Sequence, residues 1–149
     1  MNIELIKDDK KRFLGLLLLA DEQESMIDRY LKRGELFALY DGDLKSVCVV
    51  TDEGGGTFEI KNLATYERYQ RRGYGRALVD YVFEHYKGKC TTMLVGTGDS
   101  PLSIPFYEKC GFAISHRVPN FFVENYDHPI IEGGVRLIDM VYLKKSTTS

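Results

Sequence analysis

Gln70-Arg71-Arg72-Gly73-Tyr74-Gly75-Arg76 (QRRGYGR) stands between two runs of opposite periodicity. Before it, Thr57–Thr65 (TFEIKNLAT) has the composition of a strand. After it, Gly75–Tyr86 places Leu78, Val79, Val82 and Phe83 on one helical face. A strand that turns over closely spaced glycines into a helix makes an anion cradle. Gly73 and Gly75 let the backbone turn tightly and direct successive N–H groups at one point, and the helix start adds the positive end of its dipole. Arg71, Arg72 and Arg76 supply charge suited to phosphate oxygens. A pyrophosphate is the expected guest; the alternative is a tight turn without a ligand.

Two common phosphate sites are excluded. A dinucleotide fingerprint needs a third glycine where Leu78 stands. A P-loop needs G-x-x-x-x-G-K-[ST], and Gly88-Lys89 lacks both the partner glycine and the hydroxyl.

Outward from the cradle the C-terminal half reads as strand Thr91–Val95, helix Ser100–Lys109, and strands Phe112–Arg117 and Val135–Leu143. Ser100 is the expected N-cap, Pro101 the first helical residue, and Gly111 lies just past the end. Strand–helix–strand order implies parallel pairing around a crossover. Val118–Gly134 is an aromatic-rich connection, and Lys144–Ser149 reads as a frayed tail. Towards the N-terminus, Asn2–Ile6 suits a first strand, followed by a helical region and a helix over Glu22–Lys32 that Gly34 would stop in the left-handed conformation. Glu35–Tyr40 and Leu44–Thr51 form a hairpin across Asp41-Gly42-Asp43, and Asp52–Gly56 turns into Thr57–Thr65. This is an antiparallel meander.

The whole chain has 149 residues, a length for one domain spanning 1–149. Its 20 Lys and Arg against 22 Asp and Glu leave a net charge of -2, which argues against a nucleic-acid binder. Cys48, Cys90 and Cys110 show no CxxC and no zinc spacing, so no metal is expected, and reduced buried thiols in the cytoplasm are the simplest reading. Phe13–Ala20 (FLGLLLLA) is far short of the roughly 20 residues of a membrane span. No small-residue cleavage site follows it, so it reads as a buried helical segment and no membrane partner is expected.

Q-x-x-G-x-G between a strand and a helix resembles the coenzyme A pyrophosphate motif of the GNAT N-acetyltransferase superfamily. Phe106-Tyr107-Glu108-Lys109-Cys110-Gly111-Phe112 resembles that family's second signature, F-Y-x-x-x-G-F. Asn120–Ile131 (NFFVENYDHPII) is similar to a bacterial subgroup. The resemblance implies an α/β (α+β) fold with a mixed sheet of about seven strands, an N-terminal antiparallel meander, a splayed central parallel pair and about four helices. It implies acetyl-CoA as co-substrate, lying where Thr57–Thr65 splays from Thr91–Val95. The backbone of Asn62, Leu63, Ala64 and Thr65 would pair with pantetheine, an N–H near Leu63 would polarise the thioester carbonyl, and Gln70–Arg76 would hold the pyrophosphate.

In the family's pattern Tyr107 donates a proton to the departing thiolate; on its own it would be an ordinary half-buried aromatic. Asp99 stands where many members carry Asn. Glu59 matches the position of the catalytic glutamate in the related histone acetyltransferases, and pairing with Lys61 is the structural alternative. Phe121, Phe122 and Tyr126 leave three readings open: an acceptor-pocket lining, a seal over the sheet, or a homodimer contact. The expected activity is direct acetyl transfer to a primary amine of a small molecule. A silent CoA-binding sensor and a protein N-terminal or lysine acetyltransferase are the alternatives.

Overall fold

The computed structural model describes residues 1–147. The meander begins with β1 (Asn2–Ile6) and, after a 3-10 turn at Lys10–Phe13 and helices α1 (Leu14–Ala20) and α2 (Glu24–Ile27), continues through β2 (Glu35–Asp41), β3 (Asp43–Gly54) and β4 (Thr57–Thr65). A crossover through α3 (Tyr74–Tyr86) leads to β5 (Thr92–Gly98). Then come α4 (Ser103–Lys109), β6 (Ala113–Val118), α5 (Phe121–Asn125), β7 (Ile131–Glu132), β8 (Val135–Arg136) and β9 (Met140–Ser146). Seven strands form one sheet in the order β1-β2-β3-β4-β5-β9-β6, and β7-β8 is a separate hairpin. Among the described residues β4 and β5 are the only neighbours paired in parallel. The mixed fold matches the expectation, with five α-helices among the described residues in place of about four.

Strand β2 is apolar from Leu36 to Leu39 because both of its faces are covered. On β2, Phe37 and Leu39 join the cluster under α3 with Leu78, Val79 and Val82, whereas Leu36 and Ala38 join Leu16, Leu17 and Ile27 of the α1–α2 segment. Alternate side chains of a strand point to opposite faces, so a continuous apolar run marks a strand buried twice. Among the described residues no helix is long and apolar enough to cross a membrane.

Several expectations are corrected. The Glu22–Lys32 helix is one α-turn, Glu24–Ile27. Beyond it Arg29 and Tyr30 bond back to Met26 and Ile27, and the Lys10 ammonium takes the carbonyls of Leu31, Lys32 and Gly34. The spacing still buries Met26, Ile27, Tyr30 and Leu31. Gly34 does not have a positive φ; its requirement is space, because a Cβ there would lie 2.7 Å from Val49 Cγ1. Helix α4 starts at Ser103, not Ser100, although the Ser100 hydroxyl still caps it, accepting from the N–H groups of Leu102 and Ser103. The predicted strand Val135–Leu143 is broken at Leu137–Asp139, where the buried Leu137 turns in towards Gly98. The Val118–Gly134 connection contains α5 and β7. Lys144–Ser146, expected to fray, continues β9 against β5, and residues 148–149 of the expected tail lie outside the described region.

Candidate active site

The site begins with one extra residue in β4. Val49 of β3 faces Asn62, and the next residue, Val50, faces Ile60, so Lys61 is a bulge. A bulge bends its strand and sharpens its twist. Accordingly β4 pairs with β5 only from Thr57↔Thr92 to Ile60↔Val95. Beyond that point β5 continues to Gly98 on its other neighbour, β9. Gly96 and Gly98 are closely covered there: an added Cβ would come within 2.6 Å of Met140 Sδ and 2.4 Å of Leu137 Cδ1, so those side chains would have to shift.

The parted strands line a cleft of about 320 Å³. Its β4 wall includes Leu63, Ala64 and Thr65, and it extends to Gln70. The Gln70 amide donates to the Thr65 carbonyl at 3.2 Å, tying the cradle to the end of the strand.

In the cradle Arg71 has φ 65° and Gly73 φ 87°, so two left-handed residues, one non-glycine, bend the chain into the α3 N-terminus. Arg71 and Arg72 form no ion pair among the described residues, and Arg76 reaches only Asp80, at 3.9 Å. Their charges are therefore available to an anion. A Cβ added at Gly75 would lie 3.5 Å from Phe106 Cζ and 3.7 Å from Thr65 Oγ1, so α3 and α4 approach each other here. The Tyr74 hydroxyl donates to Asp41 at 2.7 Å, tying the start of α3 to the β2–β3 turn.

Tyr107 lies on α4 in the cleft wall and is 8% exposed. Its ring packs against Phe106 and Phe112, while its hydroxyl has no hydrogen-bond partner among the described residues. Burial pushes its pKa well above the ordinary tyrosine value, which keeps the proton on the oxygen.

Of the expected site residues, Glu59, Asp99 and the turn from Arg71 to Arg76 are not in this lining. Glu59 is 6% exposed and is held 2.9 Å from Lys61 Nζ, with the Tyr142 hydroxyl at 3.5 Å. Burial and the Glu59 charge push Tyr142 up to about 12. Asp99 accepts from Arg117 at 2.8 Å on the outside of the fold.

The far wall was largely hidden in the sequence. Asp21, between α1 and α2, accepts from the Tyr30 hydroxyl at 2.8 Å and from the Tyr126 hydroxyl at 2.6 Å. Asn62 donates to Tyr30 Oη and to the Leu17 carbonyl, each at 3.1 Å. Of the aromatic stretch, Phe122 and Tyr126 line the cleft, and Phe121 packs beside them. The available signal was Asn62, a buried amide between the half-buried Lys61 and Leu63 in the interior of a strand.

The Acetyltransferase (GNAT) family profile matches residues 4–112. The N-acetyltransferase YvbK of Bacillus subtilis strain 168, itself described as uncharacterised, is 38% identical over 146 residues, 96% of this chain and 94% of that one. A GNAT family acetyltransferase from Elizabethkingia anophelis, crystallised with acetyl-CoA bound, is 34% identical, with 97% of each chain covered and a TM-score of 0.91. A Bacillus subtilis acetyltransferase in complex with CoA is 37% identical, again with 97% of each chain covered, at a TM-score of 0.87. The bulged and parted strands, the arginine-lined glycine turn and these matches agree: the chain belongs to the acetyltransferase (GNAT) family.

Proposed function

We propose that this chain works as a single N-acetyltransferase domain that moves an acetyl group from acetyl-CoA directly to a primary amine of a small molecule. The observation that carries the proposal is the cleft itself. It opens between bulged β4 and β5, reaches the arginine-lined turn at Gln70, and holds the unpartnered Tyr107 hydroxyl in its wall.

Pantetheine then lies along Leu63–Thr65 as an added strand, with the pyrophosphate on Gln70–Arg76. An N–H near Leu63 stabilises the oxyanion as the amine nitrogen attacks the thioester carbon. The adduct sheds a second nitrogen proton to water and collapses with cleavage of the C–S bond, and the departing thiolate takes the Tyr107 proton, which solvent later replaces. The amine must shed a proton to attack. Glu59 is committed to Lys61 and stands outside the cleft lining, which favours its alternative role of fixing the bulge; the proton leaves to water at the cleft mouth.

A small acceptor is favoured over a polypeptide because Phe122, Tyr126, Ile130 and Ile131 close one side of the cleft. Three buried free cysteines suit the reducing cytoplasm. The test is CoA thiol release from acetyl-CoA across a panel of primary amines. Amine-dependent release is expected, and binding without any transfer would favour the sensor reading.

A further inference from the structure

Asp21, Glu22 and Glu132 all line the cleft, and Lys61 is the one cation of the lining among the described residues. Lys61 is already offset by Glu59 at 2.9 Å. Asp21 has no ion pair among the described residues; both of its oxygens are held by tyrosine hydroxyls. The nearest guanidinium to act on it, Arg29, donates to Asn125 at 3.1 Å. Glu132 accepts from the Ser103 hydroxyl at 2.8 Å, and Glu22 has only His128, at 3.8 Å.

A second observation points to a ligand independently of the carboxylates. Asn62 lines the same cleft and is 4% exposed, yet its Oδ1 is buried without a hydrogen-bond partner. Its amide nitrogen is fixed by Leu17 O and Tyr30 Oη, so the amide does not turn over without losing both bonds. Leaving a buried acceptor unsatisfied costs free energy that a bound donor recovers.

The acceptor side therefore offers hydrogen-bond acceptors and negative charge, walled by Phe122 and Tyr126. We propose that the acetyl acceptor is a small aliphatic amine bearing a second cationic group, received by Asp21 and Glu132, with the Asn62 amide oxygen as a further acceptor. This rests on the acetyltransferase reading. A carboxylate in place of the second cation would face three like charges, and an uncharged alkyl end would leave the carboxylates and Asn62 Oδ1 unpaired.

The test compares kcat/KM for three probes of equal chain length, namely 1,4-diaminobutane, 1-aminobutane and 4-aminobutanoate, with acetyl-CoA binding measured by calorimetry on the same protein. The diamine should exceed the monoamine by about tenfold or more, as partly desolvated charge-assisted bonds give, with the amino acid poorest. Asp21→Asn and Glu132→Gln should each bring the diamine-to-monoamine ratio towards unity. That ratio is internal to each variant, so a folding defect that lowers both rates does not move it. If the protein binds acetyl-CoA but the wild-type ratio is near one, or both variants keep the wild-type ratio, or the diamine is not acetylated, the cationic-acceptor proposal is overturned and the cofactor reading stands. If acetyl-CoA does not bind, both fall.

Discussion

The amide nitrogen of Asn62 donates to the hydroxyl of Tyr30 across 3.1 Å, joining the splayed end of β4 to the segment that follows α2. Tyr30 passes the connection on to Asp21, and Tyr126 meets the same carboxylate from beyond α5. One hydrogen-bonded chain thus spans β4, the α1–α2 junction and the α5 connection. Tyr30→Phe removes two of its bonds and leaves an Asn62 N–H short of a partner. It should cost about 1–3 kcal/mol in denaturant unfolding and raise KM for the amine more than KM for acetyl-CoA.

Asp21 should show a conflict between stability and use. Burial raises its pKa above the ordinary carboxylate value, against the lowering effects of Tyr126 and Tyr30. A raised folded-state pKa means that its favourable contribution is complete below the unfolded value and is lost as pH rises through the folded value. At neutral pH the charged form therefore costs stability. Asp21→Asn should melt at the same or a higher temperature than wild type at pH 7, and the difference should shrink as the pH falls towards the carboxylate range. A lower melting temperature at pH 7 would contradict this.

Tyr107→Phe should separate catalysis from folding. The hydroxyl bonds to no protein group among the described residues, so its loss should change unfolding free energy by under about 0.5 kcal/mol. Loss of the proton donor should lower kcat by about tenfold or more with acetyl-CoA affinity retained. Because burial holds the phenol pKa above the ordinary value, the wild-type rate should show no loss from Tyr107 ionisation below about pH 10.

Glu59→Gln distinguishes its two readings. If Glu59 secures Lys61 in the bulge, the variant should lose about 1–3 kcal/mol of stability while kcat falls by less than about tenfold. A fall of about a hundredfold or more with unchanged stability would restore Glu59 as the base.

The parts legible in the sequence are those set by local chemistry. Strands Asn2–Ile6 and Thr57–Thr65 appear at their predicted bounds, and the Gly73 turn stands where spacing placed it. The bulge at Lys61 was not legible, because it is a relation between β3 and β4 and neither strand alone reveals it. The Asp21 cluster draws partners 9 and 105 residues away, a distance at which no local pattern operates. Helix α5 was obscured because its aromatics serve a small separate core with Ile130 and Leu137. The pairing of Glu59 with Lys61, two residues on, was legible as the structural alternative, because the two share one face of the strand.

Calorimetric titration of acetyl-CoA into the wild-type protein and Gly73→Glu tests the central claim most directly. Gly73 has φ 87° and open space around it, so the variant combines backbone strain with a carboxylate at the turn proposed to hold the pyrophosphate. The account predicts one site of about micromolar affinity in the wild type and no detectable binding in the variant. Absence of binding of any CoA species to the folded wild-type protein, or equal affinity in Gly73→Glu, would contradict it.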